Sequence, residues 1–409
     1  MSDDRIVVGV DVGTTKVCAL IAEVSNDDHL EVIGSGITPS RGLKKAVVVN
    51  PEEVVESIVN AVNKAEQQSG FKIVSAFVGI SGAHIATHAA QGAVAVRHPD
   101  RQITPDDVNR AIDAARVVSL PNDREIVNVL ARHYVVDGQD GIKNPIGMLG
   151  HRLEVQTTIV SGAMTAKSNL ERCLERSGIG IDSLVLQPAA AGEAVLTEAE
   201  REIGVTLIDI GSGTTDVGVF VEGALVFACV LPVGGFQVSN DLAVGLRTPF
   251  AAAEEIKIRH GYALPELLED DRTIDVSAFD TGDGRPVSRR QVSEIIEPRL
   301  EETFELVIEQ LDKVNLRGLP AGVVLCGGTA QLGGIRRLAA EVFRAPVRVG
   351  TPTGIYGLTD QITTPAFATS VGLLKWGLDQ EFEPARERGG LPLAGIGERI
   401  KKLFSNLLP

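Results

Sequence analysis

Residues 9–24, GVDVGTTKVCALIAEV, return in altered form at residues 207–220, LIDIGSGTTDVGVF, and this pair decides the fold. Each copy is an apolar run, an Asp-x-Gly turn rich in threonine and a second apolar run, the pattern of a β-hairpin. Asp209 stands where Asp11 stood, and the second turn reads as carrying one extra glycine. The separation is too wide for a solenoid, whose repeats run to roughly 20–50 residues, so two related domains facing each other are expected. Glycines let backbone amides converge on an anion, threonine hydroxyls add donors, and an aspartate can hold a hydrated cation. Together they describe Mg-phosphate chemistry. A single turn of this kind is more often an ordinary tight turn, and the duplication changes that balance. A third cluster, Gly327-Gly328-Thr329, follows the apolar run Val323–Cys326 and precedes an expected helix. That context lets a nucleotide approach the backbone, although taken singly it is a plain strand-to-helix turn.

Composition narrows the function classes. A chain of 409 residues that is 44% hydrophobic can bury a large core, and its length favours two or more domains. The net charge of −15 argues against a nucleic-acid partner, which normally needs a basic face. Cysteines 18, 173, 229 and 326 show neither pairing nor metal-ligand spacing, so a reduced compartment is expected. The opening MSDDRIVVGV runs straight into a strand and does not resemble a signal peptide. The most apolar stretch, residues 203–236, is interrupted by Asp209, Asp216, Glu222 and many glycines, so it is not expected to cross a bilayer.

Two insertions and a tail complete the outline. Residues 83–164 read as a compact α+β unit, with a helix starting at Thr104-Pro105-Asp106-Asp107 among strand-like runs GAVAVRH, EIVNVLARHYVV and HRLEVQTTIV. Histidines 84, 88, 98, 133 and 151 in or near it lack the spacing of a metal site. Residues 247–319 carry a glycine-containing loop or hairpin and a helix expected over 291–314. After Trp376 the polar, proline- and glycine-bearing DQEFEPARERGGLPLAG reads as a linker. Beyond it, Ile396, Ile400, Leu403, Phe404, Leu407 and Leu408 share one helical stripe, flanked or opposed by Arg399, Lys401 and Lys402. Such a helix suits the interface of an anionic membrane, with about 1 kcal/mol from each nearby Lys or Arg, and the competing reading is a terminal helix docked on its own core.

In this order, the hairpin motifs together with AAAEEIKIRHG, EIIEPRLEETFELV, GVVLCGGTAQLGG and the tail resemble the actin-like ATPase superfamily, specifically the bacterial FtsA cell-division family. The resemblance spans nearly the whole chain. It implies an α/β fold of two duplicated ATPase domains around a nucleotide cleft, with an α+β subdomain inserted in the first. The implied division is domain I over 1–82 and 165–200, its insertion over 83–164, and domain II over 201–246 with its insertion over 247–319. Residues 320–378 complete domain II and return to domain I, 379–394 form a linker, and 395–409 form a membrane-targeting helix. It further implies ATP and Mg as cofactors, with Asp11 and Asp209 facing Mg through water. Gly13, Thr14, Thr15, Lys16, Gly211, Ser212, Gly213, Thr214 and Thr215 would cradle phosphates, and Gly234 and Gly235 would approach them.

By the same resemblance, Glu254 and Lys257 would contact the ribose and adenine edge, opposite Gly327, Gly328 and Thr329. From the residues alone this pair reads as a surface helical ion pair. Gln187 falls where the superfamily places a residue near the attacking water. Gln can orient water but accepts protons poorly, and a structural role before a proline-started helix is equally compatible, so at most slow ATP hydrolysis is expected. Arg299 is the candidate contact for the C-terminal peptide of FtsZ, its alternative being a solvated arginine paired with neighbouring glutamates. The family's expected partners are FtsZ, further copies of itself in a filament, later division proteins and the cytoplasmic face of the inner membrane at the septum. A pilus-assembly adaptor, a chaperone and a small-molecule kinase of the same fold are the alternatives. The adaptor leaves the tail unexplained, the chaperone lacks a following peptide-binding domain, and the kinase lacks an evident catalytic acid and acceptor pocket.

Overall fold

A computed structural model describes residues 5–382 except 26, 28, 99 and 278–283. The chain begins with three antiparallel strands, β1 (Arg5–Val12), β2 (Lys16–Val24) and β3 (Leu30–Pro39). β1 and β2 are buried along most of their length, which explains their near-continuous apolar sequence. A minimal hairpin, β4 (Leu43–Lys44) and β5 (Val47–Val48), leads to helix α1 (Pro51–Ser69). Proline and two glutamates open α1, and Gly70 closes it in the left-handed conformation at φ 77°. β6 (Ser75–Ile80) then pairs in parallel with β1.

The segment between β6 and the rest of this sheet forms its own antiparallel sheet. Strands β7 (Ala86–Ala95), β8 (Arg124–Val136), β9 (Gln139–Ile142) and β10 (Arg152–Ala163) lie in the order β7-β10-β8-β9. Helix α2 (Pro105–Ala115) covers them through a small core of Ile103, Ala111, Ile112, Leu153 and Val155. Its start is the capping box that Thr104 and Asp107 encode. Helix α3 (Met164–Arg176) leads back to β11 (Gly180–Leu186), which pairs in parallel with β6.

Two helices, α4 (Gln187–Val195) and α5 (Glu198–Ile203), lead to a second copy of the plan. β12 (Val205–Ile210), β13 (Thr215–Val221) and β14 (Ala224–Leu231) are antiparallel, and α6 (Gly235–Gly245) and α7 (Phe250–His260) follow. A hairpin of β15 (Thr273–Ser277) and β16 (Gly284–Ser288) precedes the long helix α8 (Arg289–Lys313), which begins two residues before the start expected from sequence. β17 (Val323–Cys326), α9 (Ile335–Phe343), β18 (Val347–Val349), β19 (Ile355–Gly357) and α10 (Ala368–Phe382) complete the described chain.

The duplication is topological. The first sheet orders its strands β11-β6-β1-β2-β3, with β19 added beside β3, and the second orders them β18-β17-β12-β13-β14. In both, three antiparallel strands are extended by two parallel ones. The fold is an α/β pair of duplicated domains with the four-stranded α+β unit inserted in the first, the arrangement that the actin-like resemblance implies. One core cluster joins Leu20 and Val32 of the first sheet to Leu207 and Val324 of the second through Ala191 of α4 and Val371 of α10.

Register corrects one reading of the repeat. Val12 pairs with Val17 and Ile210 with Thr215, so both turns hold four residues, 13–16 and 211–214. Gly13 donates to the Lys16 carbonyl and Gly211 to that of Thr214, each at 2.9 Å. The second turn therefore carries no inserted residue, and its extra glycine, Gly213, takes the place of Thr15. Thr14 matches Ser212, Thr15 matches Gly213, Lys16 matches Thr214, and Cys18 matches Asp216. Matching the two Thr-Thr pairs by identity shifts them by two residues, because the backbone bond starts at the glycine.

α10 continues to Phe382, into the stretch 379–394 read as linker. The amphipathic stretch, with Ile396, Arg399, Ile400, Lys401, Lys402, Leu403, Phe404, Leu407 and Leu408, lies outside the described residues. Among the described residues, no helix is long and apolar enough to cross a membrane.

Candidate functional site

Both hairpin turns open on one cavity of about 610 Å³ between the two domains. Asp11 is the penultimate residue of β1, Asp209 is that of β12, and both face this space. Gly13, Thr14, Thr15 and Lys16 line it from domain I, and Gly211, Ser212 and Thr214 from domain II. The Lys16 ammonium bonds the Ala366 carbonyl and sits 4.0 Å from the Phe367 ring centroid. A Cβ on Gly213 would stand 2.8 Å from the Thr14 hydroxyl, so the turns meet closely.

The remaining expected residues surround the same space or support it. Thr215 is fully buried and donates to the Val233 carbonyl at 2.8 Å, which fixes the end of the second turn. Gly234 and Gly235 open α6 beneath that turn. A Cβ on Gly234 would lie 2.7 Å from the Gly211 and Ser212 carbonyls, and one on Gly235 would lie 2.5 Å from the Thr329 hydroxyl. Glu254 and Lys257 line the far end with Gly327, Gly328 and Thr329. Lys257 is only 7% exposed and donates to Glu254 at 2.8 Å and to the Gly235 carbonyl at 3.0 Å. This removes the reading of a solvated surface pair, and burial lowers the Lys257 pKa.

Gln187 opens α4 and donates its amide to Asp11 at 3.1 Å. It lies at the cavity wall. Arg299 lies elsewhere, on α8, where Asp241 of α6 and Glu302 both bond its guanidinium. The alternative from sequence, pairing with a neighbouring glutamate, thus describes part of its environment.

Three site residues escaped the sequence reading. Asp216, 3% exposed, faces the cavity from β13, accepts from Thr214 at 2.9 Å, and is bonded by the Ser81 hydroxyl. Thr369 and Ser370, adjacent in the first turn of α10, donate to Asp209 at 3.0 Å and to Asp11 at 2.9 Å respectively. The α10 N-terminus is itself favourable to these carboxylates. Only the tertiary fold identifies this pair.

Burial dominates the electrostatics of the three aspartates. It raises Asp11 above the ordinary carboxylate value against the nearby Lys16 charge. It pushes Asp209 up to about 6, with the Asp11 charge adding to the effect, and Asp216 to about 7, with the Asp209 and Asp11 charges adding. Among the described residues, no group of three or more His, Cys, Asp or Glu side chains is arranged to hold a metal directly. The buried oxygen donors instead suit a hard cation that keeps most of its water and relies on ligand phosphates, as Mg does. Asp11 and Asp209 fit that role from opposite domains.

A family model described as cell division protein FtsA matches residues 206–372, and one described as the SHS2 domain inserted in FtsA matches residues 82–161. The chain is 46% identical to the cell division protein FtsA of Pseudomonas aeruginosa, covering 93% of this chain and 91% of the relative. Identity to the protein of that name from Escherichia coli K12 is 36%, over 99% and 98%. Among solved structures, a PilM-PilN type IV pilus biogenesis complex aligns with a TM-score of 0.65 at 16% identity, covering 91% of this chain and 98% of that one. The MamK double helical filament aligns at 0.53 and 12%, covering 91% and 98%. MreB5 of Spiroplasma citri bound to ADP aligns at 0.53 and 14%, covering 98% and 99%.

Proposed function

The chain belongs to the FtsA family of cell-division proteins, and we propose that it is an ATP-binding filament protein that anchors FtsZ polymers to the cytoplasmic membrane and recruits later division proteins. The observation that carries the nucleotide part is the convergence of two aspartate-anchored turns on one cavity. Thr14, Thr15, Ser212 and Thr214 with the turn amides bind phosphates, Lys16 supplies positive charge, and Glu254 and Lys257 hold the nucleoside end. Asp11 and Asp209 would hold a hydrated Mg, which would neutralise phosphate charge when bound. Gln187 orients a water; because positioning rather than a strong base drives this chemistry, a neutral glutamine permits hydrolysis, and the turnover expected is slow.

The double helical filament of the similarly folded MamK supports assembly. The α+β insertion and domain II supply the protein-binding surfaces, with Arg299 a contact for the FtsZ C-terminal peptide. That peptide must displace or share the Asp241 and Glu302 partners. The amphipathic residues Ile396–Leu408 form the lipid contact, weak in one copy and strengthened when assembly presents many copies together.

Vesicle co-sedimentation with ATP, comparing the full chain with one ending at Ala394, tests the reading. Anionic vesicles should pellet the full chain and leave the shortened one in solution. Equal lipid binding by both removes the tail from the account, and absence of ATP-dependent assembly on lipid, viewed by electron microscopy, removes the filament.

A further inference from the structure

The third carboxylate of the cleft is the feature that the duplication does not explain. Its counterpart in domain I is Cys18, a fully buried thiol beside Asp11 and Ser370. An ionisable oxygen group occurs at this register position only in the second hairpin, where it faces the cavity. Asp216 is also the point where domain II bonds the loop after β6. Ser81 and Asp216 are 4% and 3% exposed, and the serine hydroxyl donates across the cleft to one carboxylate oxygen. Thr214 of the second turn donates to the other oxygen. One side chain thus joins the domain II phosphate turn to domain I.

The domain I end of this tie leads back to the first turn. Ser81 follows β6 directly, and Gly79 in β6 packs against Gln187, such that a Cβ there would stand 3.3 Å from its Cγ and 3.6 Å from the Asp11 carboxylate. Gln187 bonds Asp11, Ser370 bonds Asp11, and its neighbour Thr369 bonds Asp209. Asp209 is the register partner of Asp216. The polar contacts and strand pairing form a ring through both domains, with α10 on one side and Ser81–Asp216 on the other.

We propose that Asp216 is a positioning residue that, through Ser81, fixes the separation of the two phosphate turns and so selects a nucleotide whose terminal phosphate is gripped by both. This rests on the nucleotide reading above and deepens it. Losing the tie should weaken retention of a triphosphate more than that of a diphosphate. The nucleoside contacts at Glu254 and Lys257 belong to the other end and are shared by both ligands.

The test is the ratio of ATP to ADP affinity with Mg, measured by competition with a fluorescent nucleotide on the full chain. Wild type, Ser81→Ala, Asp216→Asn, the double variant and Ser81→Thr are compared, with melting temperature recorded for each. The expected result is preference for ATP in wild type, reduced about fivefold or more in each single variant, with ADP affinity within about twofold of wild type. The double variant should be no worse than Ser81→Ala or Asp216→Asn alone, because one change removes the donor and the other weakens the acceptor of a single contact, and Ser81→Thr, which keeps the hydroxyl, should keep the preference. Unchanged preference in the single variants overturns the proposal, even when melting falls, since a merely structural bond would behave that way. Independent losses in the double variant, or a wild type that binds both nucleotides equally, also overturn it. A wild type that binds neither nucleotide removes the nucleotide reading itself and the proposal with it, which separates the two failures.

Discussion

The two phosphate hairpins share strand order, turn length and the leading aspartate, yet they differ at the two positions that set their charge. The first places Lys16 where the second places Thr214, and Cys18 where the second places Asp216. The first turn therefore brings a cation to the cavity, and the second brings a further carboxylate with a neutral hydroxyl. Duplication preserved the backbone that presents amides to phosphate, while the side chains diverged into unequal roles. A shared anion is best served by such a division, because two lysine-bearing turns would add repulsion and two carboxylate pairs would repel the ligand.

Restoring symmetry should break the protein before it improves the site. Cys18→Asp buries a second carboxylate beside Asp11 with no cation added, at a cost of about 3 kcal/mol or more. Chemical denaturation should show that loss, whereas Asp216→Cys, which removes a buried carboxylate but also the acceptor of Ser81 and Thr214, should cost less. The turn residues should then separate by charge. Lys16→Ala should weaken Mg-ATP binding about tenfold or more, and Thr214→Ala about threefold, since a charged donor contributes more than a hydroxyl. Titration calorimetry checks the order, and equal losses would erase the asymmetry.

The support beneath the second turn offers a sharper cut. Gly234→Ala places a Cβ against two rigid carbonyls and should destabilise by about 1–3 kcal/mol. Denaturant midpoints would measure this. The smallest effect belongs to a pair remote from both turns. The Arg348 guanidinium, assisted by Thr197 and opposed by partial burial, holds the Glu200 carboxyl down at about 2 against an ordinary 4.5. A depressed carboxylate stabilises the fold above about 4.5 and loses that contribution as pH falls towards 2. Glu200→Gln should flatten the acid limb of the stability profile over that window and cost about 1 kcal/mol or less at neutral pH, because Arg348 remains well exposed. Nucleotide affinity should not move.

Legibility from sequence followed the range of the interaction. The hairpins, the Thr104 helix start and the glycine turn after β17 were readable because each depends on residues a few positions apart. The repeated turns also led to the correct fold class. Their alignment was misread because identity favours matching Thr-Thr to Thr-Thr, whereas the glycine-to-carbonyl bond sets the true register. Lys257 looked like half of a surface pair because helical spacing reports the Glu254 contact and says nothing of the α6 carbonyl above it. Asp216 was visible only as a charge interrupting an apolar run, and Thr369 and Ser370 carried no local signal. Each acquires its meaning from a partner more than a hundred residues away.

The central claim is that the two hairpins form one phosphate site rather than two independent turns. Titration of Mg-ATP into Asp11→Asn and Asp209→Asn measures it directly. Both variants should keep the fold and lose affinity to a similar degree, by about tenfold or more, because each removes one carboxylate from the same hydrated cation. Wild-type affinity in either variant, with binding lost in the other, would show that a single domain holds the nucleotide and would contradict the shared site.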